Sequence, residues 1–144
     1  MRRGRLTGII RSAVLVPALL GLVISIGATA KAEEQAPIKI GAFFALSGPA
    51  SSIGAPTKLV AQMVVDKINQ DGGINGQKLE LVVGDTESDP TKALMEAKRL
   101  IENEKVVALI GPTRTDSGMA VKPYIEDSAH IPVVMTIGGD PVIA

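Results

Sequence analysis

Residues 111–120 read GPTRTDSGMA and carry two threonine hydroxyls, Thr113 and Thr115, followed by Asp116 and Ser117. They come directly after VVALI at 106–110, a run of strand formers, and before a stretch of helical character. Hydroxyls donate hydrogen bonds without bulk, and a helix N-terminus offers free backbone N–H groups and partial positive charge. Together they suit a small anion such as a carboxylate. Two further segments have similar chemistry. SGPASS at 47–52 opens with Ser47 after one apolar run, and TIGGD at 136–140 carries Ile137, Gly138 and Gly139 after another. Ser, Thr, Asp and Gly also serve as ordinary caps and turns. At each position a cap role therefore stands beside a ligand contact, and the site reading gains weight only if the fold gathers the three loops.

Other chemistries lack their residues. The chain has no cysteine, which removes thiol nucleophiles, thiolate metal sites and disulfides. Its one histidine, His130, falls between a helix and a strand, at the amino end of the sheet, where a solvated loop residue is expected. There is no Gly-x-Ser-x-Gly elbow, no phosphate loop, and no Gly-x-Gly-x-x-Gly after the first strand. Asp85, Glu87 and Asp89 in GDTESDP bring three carboxylates together, but without the glycine and terminal glutamate of a calcium loop. A solvated turn followed by a helix cap accounts for them. No catalytic residue, metal ligand or cofactor is expected.

The elements that must position these loops alternate along the chain. Strands are predicted at 38–46, 78–85, 106–110 and 131–137. Helices are predicted from Pro56 to about 70, from an Asp89 cap with Pro90 in the first turn, and over about 116–127, where Pro123 predicts a kink or a late start. In the first helix Leu59, Val60, Met63, Val64 and Ile68 share one face. In the second the stripe is Ala93, Leu94, Ala97, Leu100 and Ile101. This alternation predicts an α/β fold, a parallel sheet with helices on both faces. Such sheets hold ligands in the crevice at the carboxyl ends of their strands, which is where all three loops fall.

The first thirty or so residues stand apart. MRRGRLTGIIR carries four arginines, 12–28 carries no charge, and Ala28-Thr29-Ala30 and Ala30-Lys31-Ala32 place small residues at the spacing of a cleavage site. That layout predicts a secretory signal peptide over 1–32, ahead of a domain at 33–144; an uncleaved anchor is the alternative. Formal charge is zero over the whole chain, so removing the arginines leaves the exported part mildly acidic. That balance, with aromatics at 2%, argues against nucleic acid as a partner.

IKIGAFFALSGPASSIGAP, INQDGGINGQKLELVVGDTESDPTKALMEAKRLI and VVALIGPTRT closely resemble the branched-chain amino acid (leucine/isoleucine/valine-type) binding proteins of ABC importers, in the type I periplasmic binding protein family. The resemblance covers 38 to about 144. It implies two α/β lobes with the ligand between them, of which this chain corresponds to a truncated N-terminal lobe, expected by itself to bind weakly or not at all. It implies periplasmic capture of an amino acid or similar small carboxylate and delivery to an inner-membrane ABC permease, with no enzyme activity. By position it puts Ser47 near the cleft, the carboxylate-binding hydroxyl on Thr115 beside Asp116, and further contacts at Ile137, Gly138 and Gly139. The last loop departs from the family's S-x-x-A-T pattern, keeping N–H donors without the hydroxyl. Ile53 falls where amino-acid binders often carry an aromatic, so an aromatic acid or an amide stands beside a leucine-type ligand. A ligand-sensing lobe of a receptor or regulator is the alternative function. A flavodoxin-like enzyme would need the phosphate loop or nucleophile that is missing.

Overall fold

The computed structural model describes residues 35–138. The expected signal peptide and Gly139 lie outside the described residues. Within them the order is β1 (Ile38–Phe44), α1 (Ser51–Gln70), β2 (Leu79–Asp85), α2 (Pro90–Lys98), β3 (Ala108–Ile110), α3 (Thr115–Tyr124) and β4 (Val133–Val134). The strands pair in the order β2-β1-β3-β4, all parallel. Each consecutive pair is joined by a helix, the connection that parallel strands require. The α/β expectation therefore holds, with shorter strands. β4 pairs only through Val133 and Val134, opposite Leu109 and Ile110.

Side chains alternate across a strand, and β1 buries both of its faces. Phe43 joins Leu109 of β3, Ala93, Ala97 and Leu100 of the second helical segment, and Val121 and Ile125 of the third in one core cluster. Phe44 points the other way and is equally buried, on the face where α1 packs against β1 and β2. The second helix follows its sequence. Asp89 accepts from the Lys92 N–H at 2.8 Å and Pro90 occupies the first position, where a missing N–H costs nothing. Ala93, Ala97 and Leu100 are fully buried, with Leu94 and Ile101 packed beside them.

The first helix departs from expectation twice. It begins at Ser51, so Pro56 lies inside it. Its apolar stripe also faces solvent: Leu59, Val60, Met63 and Val64 are all more than half exposed. The buried residues are Gly54 and Val65, three turns apart on a different face. The cause is a close approach. A Cβ at Gly54 would lie 2.1 Å from the Ala45 carbonyl oxygen, so only glycine lets this turn rest on the end of β1.

The third helix starts at Thr115, earlier than a break at Pro123 allows, and passes through Pro123 to Tyr124. It then widens into a π-helical turn, Ile125–Ala129, closed by the His130 N–H on the Ile125 carbonyl at 2.8 Å. His130 is exposed and ends the turn with φ of 51°.

Candidate functional site

β1 leads to β2 on one side and β3 lies on the other, so the sheet reverses its winding between β1 and β3. Ligands of such sheets bind at the carboxyl edge of this switch point. There the loops are joined by hydrogen bonds across the strand order. The Ala45 N–H donates to Thr113 Oγ1 at 3.0 Å, linking β1 to the loop after β3. Thr136 Oγ1 donates to the Pro112 carbonyl at 2.8 Å, linking that loop to the one after β4. Ser47 and Thr115 each stand two residues beyond the Ala45–Thr113 bond.

The loop after β1 is held by β2. Register places Phe44 opposite Asp85, which brings the Asp85 carboxylate under the loop. It accepts from the Leu46 N–H at 2.9 Å, the Ser47 N–H at 3.2 Å, the Glu87 N–H at 2.8 Å and the Ser47 hydroxyl at 2.7 Å. Burial works to raise its pKa. The bonds from Glu87, Ser47 and Leu46 outweigh burial and hold the carboxyl below its ordinary value of 3.8. Asp85 and its neighbours thus have separate partners: Asp89 caps α2 and Glu87 pairs with Lys92 at 3.5 Å.

The third helix opens on Arg114 as its N-cap, in extended conformation and without a side-chain cap bond. Thr115 is exposed, and among the described residues its hydroxyl makes one long contact, 3.4 Å to the Gly138 carbonyl. Among the described residues nothing accepts a hydrogen bond from the Thr115 N–H. Asp116 bends back to accept from the Ser117 N–H at 2.8 Å, while the Arg114 guanidinium grips it through Nε at 2.9 Å and Nη2 at 2.5 Å. Those Arg114 bonds are the main reason the Asp116 carboxyl sits below its ordinary range, against a smaller opposing effect of burial.

Of the residues singled out from sequence, Ser47 lies on the loop after β1, Thr115 and Asp116 open α3, and Ile137 and Gly138 follow β4. Thr115 and Gly138 are brought into contact. Ser47 is exposed, yet its hydroxyl hydrogen is directed to Asp85. Asp85 and Arg114 were not among the expected site residues. An acid at the carboxyl end of a strand that neighbours a Ser-Gly loop is the signal for the first. An arginine two residues before an aspartate at a helix start is the signal for the second.

Comparison with known proteins places this geometry in a family. A sequence profile described as periplasmic binding protein matches residues 37–142. The chain is 31% identical over 114 residues to Leu/Ile/Val-binding protein homolog 7 of Brucella abortus, covering 79% of this chain and 28% of that protein. It thus spans less than a third of the length of the curated relatives it matches. Among solved structures it is similar to the branched-chain amino acid transporter substrate binding protein LivJ from Streptococcus pneumoniae in complex with isoleucine. The TM-score is 0.66 and the identity 32%, over 69% of this chain and 28% of that one. An extracellular ligand-binding receptor from Rhodopseudomonas palustris is similar at 34% identity and a TM-score of 0.64, over 76% of this chain and 28% of that one. Profile, relatives and fold agree: the chain belongs to the type I periplasmic binding proteins, a family of solute-binding proteins and not of enzymes.

Proposed function

We propose that this chain belongs to the extracytoplasmic solute-binding component of an ABC importer and takes an amino acid or a similar small carboxylate. In this reading residues 1–32 direct export to the periplasm, 33–144 form part of the binding lobe, and an inner-membrane permease receives the solute. Thr115, Asp116, Ile137, Gly138 and Gly139 line the proposed site, with Ser47 on the loop beside it. The observation that carries the reading is the start of α3. Among the described residues, a threonine hydroxyl with one long contact and an N–H without an acceptor sit together beside the sheet's switch point. A carboxylate accepts from both, and the helix dipole favours its charge. The relatives support the amino-acid class: curated ones are named for leucine, isoleucine and valine, and one solved structure holds isoleucine.

The test is an NMR titration of the chain with L-isoleucine, L-leucine, L-valine and benzoate. Shifts are expected at Thr115, Asp116 and Gly138. Thr115→Ala is expected to weaken binding by about 1–3 kcal/mol, the range for depriving a charged group of a hydrogen bond. Unchanged affinity in that variant would return Thr115 to the role of a helix-start residue.

A further inference from the structure

We propose that Asp85 is a positioning residue of the proposed solute site, anchoring the loop after β1, and that Ser47 belongs to this anchor and not to the donors that meet a solute carboxylate. The proposal rests on the solute-binding reading above.

The hydrogen count at Ser47 carries the argument. A serine has two hydrogens to donate, one on the backbone nitrogen and one on the hydroxyl. Both go to Asp85, at 3.2 Å to Oδ1 and 2.7 Å to Oδ2. The Ser47 carbonyl accepts from the Ser88 hydroxyl at 2.9 Å. What remains at Ser47 is lone pairs on Oγ, which accept and cannot donate. A solute carboxylate only accepts, so Ser47 has nothing to offer it while Asp85 is ionised.

The loop is fastened at other points as well. Ser88 Oγ accepts from the Ala50 N–H at 3.0 Å, and the Thr86 N–H donates to the Phe44 carbonyl at 2.8 Å. Gly48 has φ of +76°, and a Cβ there would lie 2.6 Å from the Glu87 carbonyl oxygen. The two loops lie against each other at that point. Asp85 alone among these groups takes four donors, from both loops. Its position therefore fixes the wall that stands across the Ala45–Thr113 bond from Thr115.

The experiment is amide hydrogen exchange by NMR on the full chain, wild type against Asp85→Asn, Asp85→Glu and Ser47→Ala, followed by titration with L-isoleucine. Asparagine keeps the shape but loses the charge and turns one acceptor into a donor. In Asp85→Asn, exchange at Leu46, Ser47 and Glu87 is expected to speed up about 10-fold or more while Ala42 and Leu109 keep their protection. Asp85→Glu, which keeps the charge, is expected to fall between. Isoleucine binding is expected to weaken about 10-fold in Asp85→Asn and by less than about 3-fold in Ser47→Ala. Unaltered loop exchange in Asp85→Asn would overturn the proposal, and so would lost protection at Ala42 and Leu109. A Ser47→Ala loss of affinity as large as that of Asp85→Asn would overturn it too. A wild type that does not respond to isoleucine agrees with the weak or absent binding expected of this lobe by itself, and the exchange pattern alone then supports or overturns the anchor.

Discussion

Ser117 is fully buried in the first turn of α3, and its hydroxyl has no hydrogen-bond partner among the described residues. Its own N–H is satisfied by Asp116, so the deficit belongs to the side chain alone. A buried hydroxyl left unpaired costs about 1–3 kcal/mol of desolvation. Ser117→Ala removes that cost and leaves only a small void. The expected outcome is a gain in unfolding free energy of up to about 1 kcal/mol, measured by urea denaturation. A loss of similar size would mean that the hydroxyl finds a partner in solution.

At the scale of the element, α1 is the informative case. Its strongest hydrophobic stripe faces water, and its contact with the sheet depends on a residue without a side chain. Gly54→Ala must therefore push the helix off Ala45 and is expected to cost about 2–4 kcal/mol, as severe overpacking does. Met63→Gln, at a position 69% exposed, is expected to change stability by less than about 0.5 kcal/mol. Thermal unfolding of the two variants side by side checks both. The same helix shows why the sequence was only partly readable. Periodicity locates a stripe but does not say which face meets the sheet, and glycine at a contact registers as neutral. The second helix was readable because its cap, Pro90 and small-residue stripe all act locally. The short β4 was not, because the extent of a strand depends on its neighbour. At the site, the three loops could be read because parallel topology alone collects them. The role of Asp85 depends on register between β1 and β2, a relation between distant residues that no local pattern carries.

At the scale of the molecule, the carboxyl edge of the sheet is where charge and fold are coupled. Over 33–144 there are 10 basic against 15 acidic side chains, so individual carboxylates need local partners. Asp85 and Asp116 both have carboxyls held below the ordinary 3.8, and both lie at that edge. A carboxyl with a lower pKa in the folded than in the unfolded state binds fewer protons when folded. Its stabilisation is fully present above the unfolded value and drains away as pH falls through the folded one. Acid is therefore expected to act first on the loops after β1 and β3, at pH below about 3.8. Protonation of Asp85 gives up the charge that four donors share, and protonation of Asp116 releases Arg114. The measurement is a pH series of amide spectra together with thermal unfolding, in wild type and Asp85→Asn. Leu46, Ser47 and Ser117 should shift before Ala42 and Leu109. The variant, already lacking the Asp85 charge, should lose less stability than wild type over the same acid range. Equal losses in the two proteins would mean that Asp85 is not coupled to folding, and the edge would then owe its order to Ser88, Thr113 and Thr136 instead.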